Sequence, residues 1–292
     1  MAKIISIDDV KKCFCHLGQY KVPPWSKETI LLLKYDQVTE AESMDRESSV
    51  SSGDSQTAQS ATKNNSQWEK FVNKNGIHAE KAMLVDLSKK LGEWVPVYPP
   101  SDRFVKIELD IKLSYSPCSQ CAQLLVAFKN VVETKTNVKV EMEVKIANFY
   151  IIYEDENIKG LCLLLNSGIN MQVFDGEKDW KSFLEEIGIK ADEETKETIK
   201  QRADRDCADK LILEGLRRIV PYLSAGQDIP IAFSQMCKNT LTKEQLAAKL
   251  QEINHYVAEH NDVQCSRSIA SPNYDDILKS HGIEVLQQVL EY

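Results

Sequence analysis

His78-Ala79-Glu80 and, further on, Ser114-Tyr115-Ser116-Pro117-Cys118-Ser119-Gln120-Cys121-Ala122 are the stretches on which the reading of this chain turns. One imidazole and two thiolates suit Zn²⁺ and leave a fourth tetrahedral position for water, as catalytic zinc sites do. A carboxylate two residues from the imidazole can move protons without being a ligand itself. Cys118, Cys121, Leu124 or Leu125, Phe128 and Val132 recur with a helical period, so both thiols fall on one side of a helix's first turn. There the helix dipole and the free N–H groups favour thiolate over thiol.

Outward from this pair, the elements alternate. Thr29 to Tyr35 reads as a buried strand, Gln67 to Asn73 as another, and a helix opens near His78. Residues 92–103 are Pro-broken loop. Val105, Ile107, Leu109, Ile111, Leu113 and Tyr115 alternate strictly with polar residues, which predicts a strand with one well-buried face and sits badly with a fully covered central position. Val138 to Tyr153 reads as a strand, Gly160 to Ser167 as a helix, Met171 to Phe174 as a strand and Lys178 to Ile187 as a helix. Asp192 then caps a long helix striped by Ile199, Ala203, Cys207, Leu211 and Leu216. The order predicts a mixed α/β sheet layered with helices.

At the N-terminus, Ser6-Ile7-Asp8-Asp9 resembles a capping box opening a short helix that ends near Gly18. Residues 39–65 are rich in Ser, Thr, Asn, Gln and Glu with few apolar side chains, the composition of a disordered insertion. Beyond Pro221 two amphipathic helices are predicted, one from the Thr242-x-x-Gln245 box to about Ala258 and one from near Ser271-Pro272 to Tyr292. The division is a domain over 1–220 and a helical extension over 221–292.

A net charge of −8 argues against strong nonspecific binding to phosphate backbones, although the acidity is concentrated in residues 39–65 and 221–292. Six of the eight cysteines, namely Cys13, Cys15, Cys162, Cys207, Cys237 and Cys265, have no repeating spacing and read as reduced thiols. With no secretory pattern and no apolar run long enough to cross a bilayer, the chain reads as soluble and intracellular, cytoplasmic and/or nuclear, with no membrane partner. His16, His255, His260 and His281 have no partner spacing and read as surface or helix-face residues.

The H-x-E…P-C-x-x-C pattern is a zinc-deaminase signature, and its surroundings resemble the AID/APOBEC-like polynucleotide cytidine deaminases. Asn73-Lys74-Asn75-Gly76-Ile77-His78-Ala79-Glu80 is similar to the loop entering that family's zinc helix, and Ser114 to Ala122 to its S-W-S-P-C-x-x-C-A. Trp25-Ser26-Lys27-Glu28-Thr29 resembles its first-strand entry, Ala147-Asn148-Phe149-Tyr150 its A-R-L-Y, and Gly160-Leu161 through Lys178-Asp179-Trp180 its G-L…K-D-Y stretch, all in family order over roughly residues 6–220. The resemblance implies a cytidine-deaminase-like five-stranded mixed sheet layered with about six helices. It also implies Zn²⁺ on His78, Cys118 and Cys121, Glu80 as proton shuttle, Thr29 and Asn73 as hydrogen-bond partners of the target nucleotide, and Tyr115 and Tyr150 as aromatic walls for the base. Two departures stand out: Tyr115 replaces the family's Trp, and thirty-six residues separate Glu80 from Pro117.

The function implied is hydrolytic deamination of cytosine to uracil in single-stranded DNA or RNA, in innate defence or editing. Two alternatives stay open: a deaminase of free cytidine or nucleotides, and a catalytically silent zinc-stabilised interaction protein that meets a protein partner through 221–292. Lys27, Lys70, Lys74 and Lys81 lie near the expected mouth, whereas Glu154-Asp155-Glu156 argues mildly against a polyanionic substrate.

Overall fold

In the computed structural model, residues 5–15, 26, 28–39, 65–94, 104–238, 241–260 and 272–285 are described. The apolar run of the first strand and the alternation of the third account for the sheet. Strand β1 (Ile30–Thr39) pairs antiparallel with β2 (Asn65–Val72) and with β3 (Phe104–Leu113). On its other side β3 pairs in parallel with β4 (Lys139–Ile146), and β4 with β5 (Asn170–Val173), giving the order β2-β1-β3-β4-β5. The five-stranded mixed sheet is as expected, and most of the 39–65 insertion lies outside the described residues.

A short helix α1 (Ile7–Asp9), closed by the Ser6–Asp9 capping box, continues as a π-helical turn over Val10–Phe14. The other helices are α2 (Ala79–Trp94), α3 (Ser119–Thr136), α4 (Asp155–Asn166), α5 (Gly176–Glu186), α6 (Glu193–Gln201), α7 (Ala203–Ser224), α8 (Ile231–Lys238), α9 (Lys243–His260) and α10 (Tyr274–Ser280). Leu31, Leu33, Ile107, Leu109, Ile111, Leu113, Val144 and Ile146 face the larger core, shared with α2, α3, α4 and α7 to α10. Ile30, Leu32 and Trp68 face a smaller core with α1, α5 and α6, in which Phe174 stacks on Trp180 with centroids 4.0 Å apart.

This second layer resolves the tension over β3. The strand is central, yet its polar positions Lys106, Glu108, Asp110 and Lys112 lie on a face that α1, α5 and α6 cover only in part. There they meet charged residues of β1 and β4 across a shallow groove that includes Lys34, Asp36, Glu141 and Glu143. Like charges stand opposite each other in the β3–β4 register, so the ion pairs run along and diagonally across the strands, as in Lys106 to Glu108 and Glu141.

Several boundaries differ from those predicted. Strand β4 stops at Ile146, because the chain turns through residues 147–154 with Ile151 at φ 41°. The single long helix after Asp192 is two, α6 and α7, meeting at the fully buried Arg202. Helix α7 continues through Pro221 in its last turn, and α8 was not anticipated. The last helix ends at Ser280, where Gly282 takes a left-handed φ of 69°. Residues 286–292, to which the prediction extended it, lie outside the described residues.

The apolar stripes of the C-terminal helices are buried in the larger core: Leu246 and Ile253 of α9, Leu278 of α10, then Ile283 and Val285. Helix α10 lies along α3, with Asp275 paired to Lys135 near the end of α3 and His281 against Gln120 near its start.

Candidate active site

The metal-type ligands come together because two helices begin at the same place. A tight turn, with Asn75 at φ 53° and Gly76 at φ 77°, closes the Lys74–Ile77 bridge and delivers His78 to the start of α2, where its carbonyl accepts from Ala82 N. The loop after β3 delivers Cys118 as N-cap of α3, with Cys121 in the first turn. His78 Nδ1 lies 3.2 Å from Cys121 Sγ and 3.6 Å from Cys118 Sγ, and the three ligand atoms all lie within 4.8 Å of one another. Tetrahedral Zn–N and Zn–S bonds of about 2.0 and 2.3 Å place N and S donors roughly 3.5 Å apart, so this donor set fits zinc in both chemistry and spacing.

Burial is graded across the site: His78 is exposed, Cys118 half-buried and Cys121 buried. Glu80 is 3 % exposed. Burial pushes its carboxyl up to about 7, opposed by its own backbone N–H. The hydrogen bond from Cys121 brings Cys118 down to about 5 against its burial, helped by the N–H groups of Cys121 and Gln120, while Cys121 is held up as the partner that keeps the proton. A group titrating near neutrality beside a metal-type donor set is suited to taking a proton from water and returning it.

The loop carrying Cys118 is laced to the end of β4. Ser116 N donates to Asn148 O at 2.8 Å, and Tyr150 N donates to Ser116 Oγ at 2.9 Å. Helix α4 holds the start of α3: Ser119 N donates to Asn157 Oδ1 at 3.0 Å, and Gly160 packs so closely that a Cβ there would lie 2.8 Å from Ser119 Cα. Any side chain at Gly160 would push the ligand-bearing helix away.

Of the residues expected to hold substrate, Tyr150 is 37 % exposed. Thr29 and Asn73 meet each other, Thr29 N donating to Asn73 Oδ1 at 2.7 Å and Asn73 N to Thr29 O at 3.2 Å. Tyr115 is 3 % exposed, and its phenol lies in the field of Cys13, Arg205 and Arg202, with burial raising its pKa. Of the lysines expected at the mouth, Lys70 is committed to Asp9 at 2.9 Å, and Lys27 lies outside the described residues.

Sequence reasoning missed Asn148, Asn157, Arg202 and the pairing of Gln120 with His281. Asn148 sits in the A-N-F-Y stretch and could have been found there. The other three act across 38 to 161 residues of sequence and leave no local spacing. His255 and His260 are surface and helix-face residues, as read, with His255 beside Glu259 and His260 stacked on Tyr256.

Residues 49–191 match the family described as APOBEC3, cytosine deaminase domain. The chain is similar to the DNA dC->dU-editing enzyme APOBEC3 of Rattus norvegicus, 28% identical over 121 residues, which are 40% of this chain and 26% of that protein. It is likewise similar to the DNA dC->dU-editing enzyme APOBEC-3 of Mus musculus, 27% identical over 121 residues, 40% of this chain and 25% of that one. The matched segment thus spans about a quarter of the length of these relatives. The five-stranded sheet, the His78–Cys118–Cys121 trio with Glu80 buried behind it, and these likenesses agree: residues 49–191 are similar to the APOBEC3 cytosine deaminase domain.

Proposed function

We propose that this protein converts cytosine to uracil by hydrolysis within single strands, with DNA the first substrate to test. The observation that carries the reading is the juxtaposition of the ligand trio with the buried carboxyl of Glu80. When bound, zinc supplies the Lewis acidity that makes water a nucleophile at neutral pH. Glu80 would take a proton from the water that attacks C4 and deliver it to ring N3, then take the proton of the new C4 hydroxyl and hand it to the departing amine, so that water is consumed and ammonia released. Tyr150, whose N–H is held by Ser116, offers an aromatic face at the exposed side of the site, and Thr29 and Asn73 form a paired edge for the nucleotide. Tyr115 is the second aromatic wall in the same reading. A single strand is required because C4 is out of reach inside a duplex.

The relatives' names as DNA-editing enzymes support DNA over RNA. A role in defence or editing, in the cytoplasm or nucleus, belongs to the same proposal. Among the described residues no helix is long and apolar enough to cross a membrane. The Glu154-Asp155-Glu156 run, just after Tyr150, favours the second reading, a deaminase of free cytidine.

The deciding experiment measures uracil formation on single-stranded DNA, single-stranded RNA and free cytidine across a salt series. With Lys70 engaged, Lys27, Lys74 and Lys81 are the remaining contacts of the expected set. At about −0.7 per phosphate neutralised, the log–log salt slope should be roughly −2.1. Equal turnover of cytidine and oligonucleotide, with no salt dependence, would establish the small-substrate enzyme instead.

A further inference from the structure

Behind the pocket, the α6–α7 junction reaches the site through one side chain. Arg202 is fully buried, and each of its guanidinium nitrogens has a partner. Nη2 donates to Ala147 O at 2.7 Å, Nη1 to Asn148 Oδ1 at 3.2 Å, and Nε to Asp206 Oδ1 at 3.2 Å. The guanidinium carbon lies 4.9 Å from the centroid of Trp180, whose Nε1 donates to Asp206 Oδ2 at 2.8 Å. A buried guanidinium is tolerated only when its fork is filled in this way, and lysine cannot fill it.

The consequence lies at Asn148. Its amide could stand in either of two orientations, and the Arg202 donor requires Oδ1 to face the guanidinium. That turns Nδ2 toward Ser114 O, to which it donates at 2.7 Å. Ser114 Oγ in turn accepts from Ile30 N at 2.9 Å, beside Thr29. The Asn148 carbonyl accepts from Ser116 N, and Ser116 Oγ from Tyr150 N. A single guanidinium therefore stands behind the loop to Cys118, the Tyr150 wall and the start of β1 next to Thr29. It comes from outside residues 49–191, the stretch that matches the family.

We propose that Arg202 is a positioning residue for cytosine recognition: by fixing the Asn148 amide, it sets the Ser114–Cys118 loop and Tyr150 at the separation a pyrimidine needs. The proposal rests on the deaminase reading.

Its test uses the full chain and two variants. Arg202→Lys keeps the charge and loses the fork. Asn148→Asp keeps an acceptor for Arg202 but sets a carboxylate oxygen against Ser114 O. In a Glu80→Gln background, affinity is measured for a single-stranded DNA containing one cytosine and for the same strand with thymine in its place, alongside zinc content and thermal midpoint. With Glu80 present, KM and kcat are measured on the cytosine strand. Both variants are expected to keep zinc, to lose about tenfold in cytosine-over-thymine discrimination, and to raise KM by a similar factor with a much smaller change in kcat. A lowered midpoint with discrimination and KM unchanged in a folded variant overturns the proposal, as does failure of both variants to fold, since either outcome makes the role purely structural. If the parent protein forms no uracil on single-stranded DNA, RNA or free cytidine, the deaminase reading fails first, and that result is seen before any Arg202 variant is made.

Discussion

Gln120, set between the two cysteine ligands, meets His281 at 2.8 Å, Nε2 to Nε2. The Nδ1 of His281 lies 2.9 Å from Ile277 O, which places the ring proton there and leaves Nε2 to accept from the glutamine amide. A histidine near the end of the chain thus touches the first turn of the helix that carries both thiols.

Breaking this contact should loosen the extension while sparing the metal. His281→Ala is expected to cost about 1 kcal/mol, the net value of a hydrogen bond, whereas Leu278→Ala, which empties a fully buried position, should cost about 2–5 kcal/mol. Urea denaturation with zinc content measured in parallel checks both values. A His281→Ala protein that loses zinc would make the contact part of the metal site.

Cys118→Ser should remove stoichiometric zinc and lower stability, because a hydroxyl is a poor zinc ligand and the buried Cys121 loses its partner in the site. Treating the parent with a chelator should lower its thermal midpoint and leave that of the variant unmoved. Elemental analysis and melting curves with and without chelator decide the matter, and a parent without zinc would remove the basis of the proposed chemistry.

Glu80→Gln should retain zinc and fold and lose at least about 10²-fold in turnover, since the amide is nearly isosteric but cannot take and return a proton. Uracil formation on single-stranded DNA reads the effect. Comparable activity in this variant would assign the proton transfers to another group.

Acid stability should depend on Asp9. Burial pulls its pKa upward, but hydrogen bonds from Lys70 and from the backbone and hydroxyl of Ser6 hold it below its ordinary 3.8. Because the folded value is depressed, its contribution is complete above the ordinary value and is lost as pH falls through the folded one. Asp9→Asn should therefore destabilise by about 1 kcal/mol near neutrality, a modest figure because the pair is partly solvated. The gap from the parent should close below pH 3.8. Urea midpoints at neutral and acid pH would show this, and a constant gap would contradict it.

Much of this architecture was legible in the sequence because it is written in short-range spacing. His78 and Glu80 are two residues apart, Cys118 and Cys121 one helical turn, and the alternation of 105–113 marks a strand with one apolar face. What escaped depends on distant partners. Arg202 stands in a run of charged residues and looks like part of a solvated helix until the fold brings Ala147 and Asn148 to it from 55 and 54 residues away. Lys70 was expected at the pocket mouth by proximity along the chain, and the capping carboxylate of Asp9, 61 residues upstream, holds it instead. Alternation in β3 suggested a strand exposed on one side, and the structure shows a central strand whose second layer is incomplete.

The antiparallel seating of α10 on α3 also has a consequence for synthesis. Domains fold as units while the chain emerges from its N-terminal end. His78, Cys118 and Cys121 emerge long before Leu278, Ile283 and Val285, which complete the core against the helix bearing the two thiols. A nascent chain therefore passes through a stage in which all three metal donors are available while the flank of α3 is bare and apolar. Metal capture and closure of the core become separate events in time, and the interval between them leaves apolar surface open to aggregation.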